Sequence, residues 1–187
     1  MRKLVVTENI TLDGVIDASE GWFAPAGDED VDRSDINEAL REQTAAADAL
    51  MVGRVTFEEM RSYWPLQTED EMGVAEYLNN VSKYVVSSTM KDPEWERSTV
   101  LSGELEDNVR ELKGKLGKDI VVTGSITLVH ELIRLGVIDE YRLFVYPIVL
   151  GRGARLFGDA TNVPKLKLVD SRTFQSGVVL TSYRAVG

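Results

Sequence analysis

Two short stretches carry residue types suited to holding phosphate. In Met51-Val52-Gly53-Arg54-Val55-Thr56, an apolar run meets a glycine, then an arginine, then a threonine two residues on. Thr56 and Glu59 fit the S/T-x-x-E capping box, which predicts a helix starting at Thr56. The free N–H groups and positive dipole end of such a helix suit an anion. Gly53 lets the backbone turn and come close, and Arg54 adds a fork of donors matched to phosphate oxygens. An ordinary strand–helix turn with an exposed arginine fits the same pattern. The second stretch, DIVVTGSITL over 119–128, repeats the arrangement: a strand through Thr123, then Gly124 and Ser125, then a helix led by Ile126. Two such ends on one sheet grip the two halves of a pyrophosphate, unless Ser125 only caps its helix. A third loop, VVSSTM over 85–90, sets Ser87, Ser88 and Thr89 just past a strand. Hydroxyls there donate to a further phosphate or simply make a polar turn.

These loops need elements to hold them. Apolar patterning predicts strands at 3–9, 49–53, 83–88, 98–102 and 120–123. Helices are predicted over 34–47, 56–63, 70–80, 106–116 (ended by Gly117) and 125–135 (ended by Gly136). Residues 18–30, rich in Gly, Pro, Asp and Ala, read as an irregular loop. Strands alone follow, at 140–149, 165–173 and 177–185. Alternation followed by strands predicts an α/β fold: a mixed, mostly parallel central sheet with helices on both faces, finished by antiparallel strands. The three loops then line the carboxyl edge of the sheet, where open α/β folds bind ligands.

Composition narrows the chemistry. With 187 residues, 43% of them hydrophobic, the chain suffices for one well-buried core, and a single domain over 1–187 is expected. There is no cysteine, which excludes disulfides, thiol nucleophiles and thiolate zinc sites. One histidine, His130, rules out multi-histidine metal sites, so no metal is expected; it reads as a helix-surface residue. A net charge of −10 argues against nucleic acid as a partner, yet says little about a small anionic ligand held by local donors. No apolar run nears the roughly 18 residues that span a bilayer, and a cytoplasmic location is expected. GRGARLFG, over 151–158, begins as G-x-G but has Leu156 where a dinucleotide fingerprint wants its last glycine, and strands follow it.

The motifs TLDGVI (11–16), GRVTFEEM (53–60), YVVSST (84–89), VTGSITLVHELIRLGVIDEYRLFVYPIVLGRGARLF (122–157) and FQSGVVLTSYR (174–184) fall in an order that resembles the dihydrofolate reductase-like family. That family includes the reductase domain of the bifunctional riboflavin-biosynthesis deaminase/reductase, and the chain is similar to its stand-alone branch. The resemblance implies a three-layer fold, NADPH along the carboxyl ends of the strands, and hydride transfer to a pteridine-like or pyrimidine-like ring. It assigns Gly53, Arg54, Val55 and Thr56, with Ser87, Ser88 and Thr89, to the 2′-phosphate side of the cofactor. It assigns Gly124, Ser125 and Ile126, with Thr123 before them, to the pyrophosphate. Asp13 and Gly14 of the L-D-G turn fall near the nicotinamide and substrate. Val15 stands where the riboflavin-pathway reductases carry lysine. Asp35 is the nearest match to the carboxylate that assists protonation in dihydrofolate reductases, and the proton donor stays open. Homodimers are common in the family.

Two functions follow as expectations. The first is an NADPH-dependent reductase acting on a nitrogen heterocycle, similar to 5-amino-6-(5-phosphoribosylamino)uracil reductase or dihydrofolate reductase. The second is a non-catalytic NADP(H)-binding or regulatory protein that keeps the fold.

Overall fold

The computed structural model describes residues 1–23, 32–67, 70, 73–158 and 165–186. Eight strands form one sheet: β1 (Leu4–Thr11), β2 (Ala47–Gly53), β3 (Ser82–Val86), β4 (Ser98–Leu101), β5 (Asp119–Val122), β6 (Glu140–Tyr146), β7 (Lys165–Thr173) and β8 (Val179–Val186). Their order is β4-β3-β2-β5-β1-β6-β8-β7. The first six run parallel; β8 adds antiparallel to β6, and β7 pairs antiparallel with β8 at the edge. This is the dihydrofolate reductase-like arrangement expected. The helices are α1 (Ser34–Ala45), α2 (Arg54–Tyr63), α3 (Val74–Asn80), α4 (Leu105–Gly114) and α5 (Ile126–Leu135).

The sheet's alternation sorts these helices. Leu4, Val6, Met51, Ile120 and Val122 face Val109 and Leu112 of α4 and Leu128, Val129 and Leu132 of α5. On the other face, Leu50, Val52, Val85 and Val121 pack on Phe57 of α2 and Leu78 of α3. Ile36, Ala39 and Leu40 of α1 cover Phe144, Val178 and Leu180 beside them. Strands buried on both faces read as continuous apolar runs, which is why β2 and β5 stood out in the sequence.

The connection from β1 through α1 runs one way along the sheet, and that from β5 through α5 runs the other way over β1. The order therefore reverses between β1 and β5, the topological switch point of an open α/β sheet. Buried and half-buried ion pairs gather at the opposite, amino edge. Arg2 pairs with Asp48 there, and Arg142 bonds Glu140 at 2.8 Å and Asp119 at 2.9 Å.

Some boundaries differ from expectation. β6 ends at Tyr146 instead of residue 149, because Pro147 cannot donate to a ladder and Leu12 bonds the Ile148 carbonyl beyond it. α4 ends at Gly114, with Lys115 already extended. Most of the 18–30 loop lies outside the described residues.

Candidate functional site

The two phosphate-like junctions meet. α2 begins at Arg54, with Gly53 as its N-cap, so Thr56 is the third helical residue and not the cap. Its hydroxyl is used elsewhere: Thr56 Oγ1 accepts the Ser125 amide at 3.0 Å. Ser125 is the N-cap of α5 but makes no side-chain capping bond. Its hydroxyl instead accepts the Gly53 amide at 2.9 Å. The capping readings of Thr56 and Ser125 are thus corrected. Helices from opposite faces of the sheet are pinned together by two reciprocal hydrogen bonds across the carboxyl edge.

Gly124 and Ser125 are both left-handed, with φ of 58° and 53°. Glycine is needed at 124, since a Cβ there would lie 3.2 Å from Thr56 Cγ2 as well as carrying the strain of positive φ. Gly53 is different. Its φ of −77° suits any residue, and a Cβ would meet Ser125 only at an ordinary 3.7 Å. The expectation that Gly53 serves a backbone turn is therefore corrected; nothing within the chain demands glycine there.

The clasp also decides which donors are free. The amides of Gly53 and Ser125 are consumed by it. A helix leaves its first N–H groups without internal partners. In α5 the first internal bond runs from the Val129 amide to the Ser125 carbonyl. The open donors are those of the first turns: Arg54, Val55 and Thr56 in α2, and Ile126, Thr127 and Leu128 in α5. Val55 is 59% exposed, and Arg54 reaches solvent, its one side-chain bond among the described residues an i,i+4 contact to Glu58 at 3.0 Å. Such a pair is worth a few tenths of a kcal/mol, about 0.2–0.5, so the guanidinium is easily redirected.

Ser87 follows β3, whose Val86 pairs with Gly53 of β2, so this loop adjoins Arg54 along the edge. The Ser87 hydroxyl accepts the amides of Thr89 at 3.2 Å and Met90 at 3.0 Å, which shapes the turn and leaves Ser88 and Thr89 exposed. Thr123 lies between the end of β5 and Gly124, half-buried.

The L-D-G turn is built as a second clasp. The Asp13 carboxylate accepts the Thr11 hydroxyl at 2.6 Å, the Gly151 amide at 2.8 Å and the Leu150 amide at 3.2 Å. The Thr11 hydroxyl and those amides hold its pKa down to about 2. Arg155 Nε donates to the Asp13 carbonyl, the Ile16 amide bonds the Ala154 carbonyl, and the Leu156 amide bonds the Gly14 carbonyl. The G-x-G-like segment thus straps the L-D-G turn. His130, exposed on α5, joins through Nε2 to the Arg155 carbonyl at 2.8 Å. Asp35 is engaged too: Oδ2 accepts the Gln175 amide at 2.9 Å, tying α1 to the β7–β8 hairpin. Beside β6, Trp22 packs edge-on to Tyr146 with ring centres 5.5 Å apart.

One buried residue beneath the site escaped sequence reasoning. Glu8 of β1 is 6% exposed, and its Oε1 has no hydrogen-bond partner. Burial drives its pKa up to about 8, against a smaller opposing pull from the Gly124 amide. The signal was present: Leu4, Val6 and Ile10 alternate onto one buried face, and Glu8 stands in the same register.

A mostly parallel sheet with paired helix ends at its switch point defines a class of open α/β domains. Within that class the chain belongs to the RibD C-terminal domain family, which it matches over residues 2–180. It is 32% identical to the uncharacterized protein YyaP of Bacillus subtilis, covering 97% of this chain and 94% of that one. Among solved structures it is similar to a putative riboflavin biosynthesis protein from Shewanella sp. PV-4, with a TM-score of 0.73, 22% identity and 99% of each chain covered. It is similar to dihydrofolate reductase from Enterococcus faecalis complexed with NADP(H), with a TM-score of 0.64, 16% identity, 99% of this chain and 97% of that one. It also resembles the Thermotoga maritima diaminohydroxyphosphoribosylaminopyrimidine deaminase/5-amino-6-(5-phosphoribosylamino)uracil reductase, with a TM-score of 0.63, 20% identity, 99% of this chain and 57% of that one. These likenesses show the fold, that of dihydrofolate reductase-like proteins.

Proposed function

We propose that this protein is an NADPH-dependent reductase that passes a hydride to a pteridine-like or pyrimidine-like heterocycle. One observation carries the reading: two helix N-termini from opposite faces are locked together at the switch point, with their first-turn amides free and Arg54 alongside. That donor set fits a dinucleotide. The amides from Ile126 to Leu128 and from Arg54 to Thr56 would hold the pyrophosphate and the 2′-phosphate side, with Arg54, Ser88 and Thr89 completing the latter. The small Gly53 keeps the approach to the backbone open. The nicotinamide, when bound, supplies the hydride, and the chain supplies orientation and charge.

On the substrate side, the strapped Asp13–Gly14 turn shapes the rim, and Trp22 and Tyr146 offer aromatic faces to a flat ring. Asp13 stays ionised near neutral pH, so it positions the turn and does not donate a proton. The reading also takes the protein as cytoplasmic and homodimeric. β7 lies at the sheet edge, with Leu168 and Val169 at 51% and 42% exposure, a surface that pairing would cover. Among the described residues no helix is long and apolar enough to cross a membrane.

One observation favours a second reading, a non-catalytic NADP(H)-binding or regulatory protein: both acids singled out from the sequence, Asp13 and Asp35, are committed to backbone amides. Calorimetric titration of wild type and Arg54→Ala with NADPH and NADH tests the cofactor site. Wild type is expected to prefer NADPH, and Arg54→Ala to lose roughly 1.5–3 kcal/mol of NADPH binding while NADH changes little. Equal affinities for the two cofactors in wild type would refute the placement. NADPH oxidation with pteridines and diaminopyrimidine ribosyl compounds then separates enzyme from binder.

A further inference from the structure

Glu8 has no part in the chemistry described above, yet it lies beneath its centre. Val6 pairs with Val122, so two residues further Glu8 stands level with Gly124, where β5 has ended. Its strand neighbours on that face are Val6 and Ile10, and its partner on β6 is Leu143, all buried. The other buried acid among the described residues, Glu140, has Lys3 and Arg142 beside it. Among the described residues Glu8 has no cation beside it; its polar contact is the Gly124 amide, and Oε1 has no partner there. A carboxylate in such a place is costly, whereas the neutral acid is not.

The titratable groups around it do not alter this. Tyr141, on the same face of β6, is a buried phenol that stays neutral. Arg142 lies on the opposite face, bonded to Glu140 and Asp119. On α5, His130 turns out to the Arg155 carbonyl and Glu131 pairs with Arg134. In the adjoining loop, Arg155 is tied to Asp13.

We propose that Glu8 is a proton-gated positioning residue: as the neutral acid it supports the Gly124–Ser125 turn for an anionic ligand, and as the carboxylate it opposes that ligand at the N-terminus of α5. The inference rests on the cofactor reading above. The physical basis is competition. A helix N-terminus favours one negative charge, and an ionised Glu8 behind the turn would satisfy the same field that a pyrophosphate needs. Bound anion and ionised Glu8 repel across a low-dielectric gap, so ligand binding must take up a proton wherever free Glu8 is ionised.

The test is calorimetric titration of the whole protein with NADPH from about pH 7 to pH 9.5, in buffers of differing ionisation enthalpy, for wild type and Glu8→Gln. Wild-type affinity should hold on the acid side, then fall by up to tenfold per pH unit, with as much as one proton taken up per NADPH. Glu8→Gln, which copies the shape of the neutral acid, should bind like wild type near pH 7 and keep its affinity at pH 9.5 with no proton uptake. Parallel pH profiles, or wild-type binding without proton uptake above pH 8, would overturn the role of Glu8 while leaving the cofactor site standing. The wild-type proton count decides the matter even if the variant folds poorly. Failure of the wild-type protein to bind NADPH at any pH would instead sink the cofactor reading, and this inference with it.

Discussion

Replacing Glu8 by glutamine should make the protein more stable at neutral pH and leave it no more stable in acid. The folded state raises the Glu8 pKa from 4.5 to about 8. A carboxyl raised in this way adds stability that is complete below its unfolded pKa and lost as pH climbs through the folded one, because the native state keeps a proton the unfolded chain has released. At about 1.36 kcal/mol per pKa unit, holding that proton costs on the order of 3 kcal/mol at pH 7 and about 5 above pH 8. Glutamine removes this cost. It adds a side-chain NH2 with no obvious acceptor, a penalty of about 1–2 kcal/mol. The net gain is thus about 1–2 kcal/mol at pH 7, or roughly 2–8 °C in Tm for a chain of this size, and more at pH 8.5. Near pH 5 the gain should vanish or turn into a small loss. Thermal unfolding followed by circular dichroism at about pH 5, 7 and 8.5 measures all three points. A wild-type-minus-variant difference that stays constant across that range would show that Glu8 is already ionised in the folded protein, and the description of its surroundings would be wrong.

Two further results are expected. Gly124→Ala should lower Tm through positive φ and the 3.2 Å approach to Thr56, at a cost of about 1–2 kcal/mol, whereas Gly53→Ala should leave Tm within a degree or so yet weaken NADPH several-fold; the reverse pattern in melting and titration would refute the roles given to the two glycines. Asp13→Asn should lower Tm, because the Leu150 and Gly151 amides donate to opposite oxygens and the asparagine NH2 must face one of them, and wild-type stability should itself fall as pH drops toward 2; an unchanged Tm with lost ligand binding would make Asp13 a ligand contact instead.

Much of this fold could be read from local pattern. The runs Leu50-Met51-Val52 and Ile120-Val121-Val122 are apolar because both faces of those strands are covered, and Gly136 marks the end of α5 through its left-handed φ of 66°. Boundaries slipped where a remote contact decided them. Pro147 stands within the expected strand, but it is the remote strap between Leu12 and Ile148 that fixes the stop at Tyr146. The site residues were legible as types and the loops as neighbours on one edge. What could not be read was which partner each hydroxyl takes. Thr56 and Ser125 both satisfy local capping patterns, and a bond to a residue 69 or 72 positions away displaces those patterns in both cases. Glu8 was missed for a related reason: an acid in a strand reads as solvent-facing until its register is compared with that of Val6 and Ile10.

The reciprocal bonds explain why a site of this kind needs hydroxyl residues where simple capping would accept several alternatives. A cap satisfied within its own helix leaves α2 and α5 free to shift against one another. Here each helix start is held by the other: the Gly53 amide by Ser125 and the Ser125 amide by Thr56. Relative motion of the two helices must therefore break buried or half-buried polar contacts, each worth about 0.5–1.5 kcal/mol net. The same bonds remove the amides nearest the junction from the pool available to a ligand and leave those of the first turns. A ligand that spans the junction, with one anionic group over α2 and another over α5, then meets donors whose spacing is already set, and less ordering free energy is lost on binding. A dinucleotide carrying two separate phosphate groups would match that arrangement with one molecule, whereas a lone phosphate engages only one helix. The clasp thus favours a dinucleotide over a simple anion, and it rests on the hydroxyls of Thr56 and Ser125 rather than on Gly53 and Gly124.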